Sequence, residues 1–150
     1  MFWPFQKPKY TDGEIDLVET YQLKGSKENN FIPSICYDIR LHESNKKVGR
    51  CDLRIGMDRE LYLVGNIGYS VAKEFRGHNY AYKACKILFQ LAKDKYLMDQ
   101  LIITCNPDNI ASKKTCEKLD GNLVEIVDVP LGHWLRNQGD LEKCVYLYYL

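Results

Sequence analysis

Residues 68–109 read GYSVAKEFRGHNYAYKACKILFQLAKDKYLMDQLIITCNPDN, and they lay out a strand, a tight loop, a long helix, a second strand and a second helix start. In the first strand Ile67, Tyr69 and Val71 face one side and Gly68, Ser70 and Ala72 the other, the period-two alternation of a half-covered strand. Beyond the loop, Ala81, Ala84, Cys85, Leu88, Leu91 and Ala92 recur at helical spacing, so the loop is the N-terminus of a helix that packs on a sheet. The first amides of such a helix lack internal partners, and the helix dipole adds partial positive charge there. A phosphate or pyrophosphate suits that position. Gly77 lets the backbone approach an oxygen, small Ala81 keeps the helix start open, and Arg76 adds a fixed charge. No Gly-Lys-Ser/Thr closes the loop and the three glycines of the dinucleotide fingerprint are absent, which sets aside both nucleotide-binding loops.

A second element follows at Asn109-Ile110-Ala111-Ser112 and runs through Cys116-Glu117-Lys118-Leu119 to Gly121. With the loop Arg76-Gly77-His78-Asn79-Tyr80-Ala81 before it, this resembles the GNAT family, the Gcn5-related N-acetyltransferases that use acetyl-CoA. Arg76 and Ala81 take the first and last places of that family's loop signature, and Gly77 its common second-position glycine. Asn79 stands where the family usually has its central Gly, and Asn is the residue after Gly that most readily adopts positive φ. The match is close from Ile67 to Gly121 and otherwise follows element order. The phrase from Leu101 to Asp128 is similar to an uncharacterised bacterial branch of predicted acetyltransferases.

The resemblance implies an α+β fold, a mixed but mostly antiparallel central sheet of about seven strands with helices packed on it, formed by residues 1–150 as one domain. It implies acetyl-CoA as co-substrate and a primary amine acceptor, on a small molecule or a peptide, that attacks directly in a ternary complex. Tyr69, Ser70 and Val71 are then expected to meet the thioester and pantetheine through their backbone, residues Arg76, Gly77, His78, Asn79, Tyr80 and Ala81 to hold the pyrophosphate, and Asn109 and Ser112 to flank the pantetheine arm. Cys116 occupies the place where many members carry a Tyr that protonates the leaving thiolate, which makes it a candidate general acid. A thiol's reference pKa of about 8.5 is near that of the thiolate it would protonate, while the alternative is that Cys116 packs the helix on the sheet. No general base stands out: Glu60 and Glu74, placed at the ends of the cofactor strand, read as solvated charges, and His78 reads as a phosphate or solvent contact.

The rest of the chain is consistent with one such domain. Its 150 residues suffice for a full core. Charge is balanced, with 21 Lys and Arg against 20 Asp and Glu, which disfavours a nucleic-acid binder. No apolar run approaches a membrane span and no signal peptide opens the sequence, so a cytoplasmic protein, monomer or homodimer, is expected. Cys36, Cys51, Cys85, Cys105, Cys116 and Cys144 are scattered singly and read as free thiols, with no pattern for a metal.

Met1 to Phe5 reads as an arm pinned by Trp3. Ile15–Leu23, Ile35–Leu41 and Cys51–Ile55 read as strands, the latter two as a hairpin, and Leu61–Ala72 as the cofactor strand, so that four strands precede the long helix. Asn109 or Asp108 caps the second helix, Leu123–Val129 and Lys143–Leu150 are the last strands, and the turn-rich Pro130–Gly139 between them carries His133 and Trp134. His133 and Trp134, with Tyr146 and Tyr148, either border the acceptor site or pack the edge of the last sheet. About a dozen residues separate Leu23 from Ile35, with Gly25 and Pro33 among them, too few for the two helices the family usually places there. The acceptor side is therefore expected to be more open, or to be completed by the N-terminal arm or another subunit. That openness also supports an alternative reading, a CoA-binding or sensing module with weak or no catalysis.

Overall fold

The computed structural model describes residues 7–26 and 32–150. Alternating strands build the first half: β1 (Lys9–Thr11), β2 (Ile15–Leu23), β3 (Ser34–Leu41), β4 (Lys47–Arg54) and β5 (Ile67–Val71) form one antiparallel sheet in the order of the chain. The β1–β2 turn is held by Asp12, whose Oδ1 accepts from the amides of Glu14 and Ile15 at 2.8 Å each. The second half forms a three-stranded antiparallel sheet from β6 (Gln100–Cys105), β7 (Asn122–Asp128) and β8 (Glu142–Tyr149), with β8 in the middle. The α+β class is as expected, but the strands number eight among the described residues and divide between two sheets. The extra strand, β1, is too short for alternation to reveal it.

The apolar run Leu61-Tyr62-Leu63-Val64 is helical, which corrects the long cofactor strand. Helix α1 (Arg59–Val64) is capped by Asp58, whose Oδ1 accepts from Leu61 N at 2.8 Å, and is stopped by Gly65 at φ 81°. An unbroken apolar run fits a strand or a buried helix equally well, and here the cap and the glycine decide. The cofactor strand is only β5, and five strands precede the long helix α2 (Tyr80–Asp94).

Helix α2 lays Ala84, Cys85, Leu88, Leu91 and Ala92 on one face of the five-stranded sheet, against Leu17, Ile39 and Leu53. Full burial of a leucine such as Leu88 contributes roughly 2 kcal/mol. Helix α3 (Ile110–Lys118) packs beside it, and a short α4 (Trp134–Asn137) lies inside the turn-rich Pro130–Gly139 segment. All six cysteines are free, five of them buried and Cys36 half-buried. The proposed arm at Met1–Phe5 lies outside the described residues. Part of the connection after Leu23 does as well, and its described residues, 24–26 and 32–33, carry no helix.

The two sheets meet through Asn66, which is fully buried. Its side-chain amide donates to Arg54 O at 3.0 Å and Gly56 O at 2.9 Å, and its Oδ1 accepts from Ile102 N at 2.8 Å. Its own N–H donates to Ile102 O at 2.7 Å. Beyond this clamp β5 and β6 share no ladder and separate into a cleft.

Candidate functional site

The cleft is set by the phase of β5. Arg54 N donates to Asn66 O at 2.7 Å and Ala72 N to Val48 O at 2.8 Å, and the register pairs Asp52 with Gly68 and Arg50 with Ser70. Antiparallel residues bond to their neighbour in alternation. Gly68 and Ser70 are therefore engaged with β4, and the backbone N–H and C=O groups of Tyr69 and Val71 face the unpaired edge. Of Tyr69, Ser70 and Val71, it is Tyr69 and Val71 whose backbone groups turn toward the cleft. The Ser70 side chain lies on the opposite sheet face, in a groove described below.

The cleft holds about 290 Å³ and is walled by Tyr69 on one side and Asn106, Asn109 and Ser112 on the other. Asn109 is the N-cap of α3, its Oδ1 accepting from Ser112 N at 3.2 Å. The Tyr69 hydroxyl crosses the cleft and donates to Ser112 Oγ at 3.0 Å. Burial pushes the Tyr69 phenol above its ordinary range. At the far wall, Asn106 donates to Asp140 Oδ1 at 2.7 Å. Burial opposes ionisation of Asp140, but hydrogen bonds from Gln138 and Asn106 and the charge of Lys143 outweigh it, so its carboxyl stays below its usual value.

At the head of α2 the backbone turns through Gly77 at φ 90° and Asn79 at φ 62°. Asn79 is thus left-handed, the conformation for which it substitutes for glycine. Its side chain makes no capping bond, and among the described residues no backbone acceptor takes the amides of Gly77, His78 or Asn79. Gly77, His78 and Asn79 are exposed, and a 15-residue helix stands behind them. Such a terminus accepts an anion. Arg76 is held near it by a bond from Nε to Val71 O at 3.0 Å, and His78 stacks on Tyr80 at 5.3 Å.

On the face of the sheet opposite α2 lies an open groove of about 1200 Å³, bounded by β2–β5, α1 and the segment around His133. Arg54, Val64, Gly68, Tyr69 and Trp134 line both groove and cleft, so the two hollows join there. Arg54 pairs with Asp52 at 2.9 Å and donates from Nη1 to Val64 O at 2.9 Å. Glycine at 68 makes room for this pair, since a β-carbon there would sit 2.6 Å from Asp52 Oδ1 and 2.7 Å from Arg54 Nη2. Burial raises the Asp52 carboxyl despite Arg54.

Glu60, expected as a solvated charge at a strand end, is instead in the first turn of α1 and accepts two bonds, from Trp134 Nε1 at 2.7 Å and from His133 at 2.8 Å. His133 Nδ1 accepts from Leu135 N at 3.1 Å. That fixes the ring proton on Nε2, which donates to Glu60. His133 and Trp134 thus border the groove, while Tyr146 and Tyr148 are buried in the core. Asn66 and this Glu60 cluster escaped sequence reasoning because their partners lie on other elements, and Arg54 because its carbonyl contact, Val64 O, does.

Cys116 is fully buried. Hydrogen bonding to Cys105, followed by burial, pushes its thiol far above the ordinary range. Among the described residues no three His, Cys, Asp or Glu side chains converge as a metal-ligand set, and no helix is long and apolar enough to cross a membrane.

A family model described as an acetyltransferase (GNAT) domain matches residues 2–122. No curated protein matches the sequence. Among solved structures, an acetyltransferase from Agrobacterium tumefaciens str. C58 superposes with a TM-score of 0.64 at 17% identity, covering 100% of this chain and 99% of that one. A GNAT-family acetyltransferase from Bacillus anthracis gives 0.59 at 17% identity, covering 76% and 65%. The microcin C7 self-immunity acetyltransferase MccE, solved with acetyl-CoA and AMP, gives 0.58 at 19%, covering 78% and 61%. The chain spans 61–65% of the length of these last two. At these identities the likeness is one of fold.

Proposed function

Because the chain belongs to the GNAT family of acetyltransferases, we propose that residues 1–150 form one domain that transfers the acetyl group of acetyl-CoA to a primary amine by direct attack in a ternary complex. The observation that carries this reading is the uncapped, exposed start of α2 beside a cleft whose edge turns the backbone N–H groups of Tyr69 and Val71 toward it. The pyrophosphate rests on the amides of residues 77–81 with Arg76 beside it. The pantetheine arm threads the cleft between β5 and Asn109–Ser112, bonding to the Tyr69 and Val71 backbone. The thioester then lies where cleft and groove join, and the amine arrives through the groove. A polarised carbonyl and a deprotonated amine are the two requirements of the attack. The free amides on the β5 edge serve the first, and the groove carboxylate of Glu60, held by hydrogen bonds from His133 and Trp134 rather than by a Lys or Arg, draws in the ammonium.

The departing thiolate needs a proton. The Tyr69 hydroxyl donates to Ser112 Oγ, which leaves the Ser112 proton for the cleft. Cys116, fully buried with its thiol pushed upward by the contact with Cys105 and by burial, serves packing. Cys116→Ala is accordingly expected to cost about 1 kcal/mol of stability and to leave the pH–rate profile unaltered. A slowed transfer with a shifted alkaline limb would return the thiol to the chemistry.

The cofactor reading is tested by thermal-shift titration with acetyl-CoA, CoA and dephospho-CoA. A ligand confined to the folded state at a hundredfold excess over its Kd stabilises by about 2.7 kcal/mol, a rise of roughly 5–10 °C for a domain of this size. No rise would remove the cofactor site. The burial of Cys116, where many members of the family carry a tyrosine, favours a second reading, a CoA-binding module without turnover. The two separate on whether any amine releases free CoA.

A further inference from the structure

The groove face of β4 presents Arg50, Asp52 and Arg54 in alternation, while Cys51 and Leu53 point into the core. Nearly every charged side chain on this face already has a partner. Asp52 pairs with Arg54 at 2.9 Å. Asp38 takes both Arg40 at 2.9 Å and Lys47 at 3.2 Å. Glu60 is held by His133 and Trp134. Arg50 is the exception: it lines the groove and is exposed, and among the described residues it makes no ion pair or hydrogen bond. Its register partners are Asp38 on β3, which is already paired twice, and Ser70 on β5.

A guanidinium presents five N–H donors in a planar fork shaped for two oxygens of one anion. Here that fork stands in a concave surface, one strand away from the β5 edge. Neighbouring strands lie about 4.8 Å apart, so a group held by Arg50 is a short span from the junction with the cleft.

We propose that the acceptor is a small amine carrying its own oxyanion, a carboxylate or a phosphate, and that Arg50 grips that oxyanion while the amine reaches the junction beside β5. Arg50 sets specificity. The acetyl-transfer reading enters this proposal only through turnover, since the grip on the anion is a property of the groove itself.

The test titrates three probes of similar size into the CoA-saturated protein by calorimetry: n-propylamine, β-alanine and O-phosphoethanolamine. A charge-assisted, two-pronged contact is expected to make at least one acid bind roughly tenfold more tightly than propylamine, with the better acid identifying the oxyanion. Arg50→Gln should abolish the preference and Arg50→Lys keep part of it. Equal binding of all three probes by the native protein, or a preference that survives in Arg50→Gln, overturns the proposal. CoA release is followed on parallel samples in which acetyl-CoA replaces CoA as the acetyl donor. Acid-selective binding without release counts against acetyl transfer and leaves Arg50 in place, whereas equal release from propylamine and both acids overturns the role of Arg50 and upholds the enzyme. The side chain is exposed and unpaired, so the variants should fold, and an unchanged acetyl-CoA thermal shift checks that they do.

Discussion

Asn66→Leu should lower stability by about 3–5 kcal/mol. The replacement leaves Arg54 O, Gly56 O and Ile102 N without the partners that the carboxamide supplies. Each buried, unsatisfied backbone group costs on the order of 1–3 kcal/mol. Asn66→Asp should be comparably damaging, because two carbonyl oxygens would then face a carboxylate oxygen. Chemical denaturation measures the loss directly. The same side chain ties the two sheets at the closed end of the cleft, so at temperatures where the variant remains folded its affinity for acetyl-CoA should also fall. Stability within about 1 kcal/mol of the native protein would show that the sheets are joined by other contacts.

Gly77→Val should separate ligand binding from folding. A β-carbon at this position meets nothing within 4 Å, so no clash penalises the fold. The cost is conformational, roughly 1–2 kcal/mol for a side chain forced to the left-handed region at φ 90°. Branched methyl groups there would stand over the free amides of His78 and Asn79 and bar a phosphate from reaching them. Losing two charge-assisted bonds of about 1.5–3 kcal/mol each corresponds to a drop of a hundredfold or more in acetyl-CoA affinity. Unchanged affinity in a folded Gly77→Val protein would remove the head of α2 as the pyrophosphate site. Gly77→Ala is the milder control.

The parts of this molecule that were legible in advance are those whose determinants lie close together in the chain. The start of α2 follows from the apolar spacing after Tyr80, and the left-handed Asn79 from its residue type. The Asn109 cap sits immediately before its helix. Where sequence reading failed, the deciding partner was remote or the local signal was ambiguous. Residues 61–64 are apolar without a period, so only the Asp58 cap and Gly65 mark them as helix. The division into two sheets depends on Asn66 reaching residues on both sides, and nothing beside it in the sequence announces that reach. Glu60 resembled any surface carboxylate until His133 and Trp134, more than seventy residues away, closed on it. Arg50 could not be singled out, because being unpaired is a property of the neighbours that its face of the sheet brings together.

The order of the strands bears on how the protein is made. In the first sheet each strand pairs with the one just synthesised, and such local contacts form early and fast. The second sheet has the opposite logic: β6 and β7 never touch, and β8 must slide between them. Until β8 leaves the ribosome, β6 and β7 both lack their ladder partner, and the hydrophobic strip Leu101–Ile103 is exposed to any other extended chain. A nascent chain halted before Glu142 would carry a nearly complete first half and an unpaired second half, a substrate for chaperones and proteases. The completed cleft therefore exists only in chains that have been translated through β8.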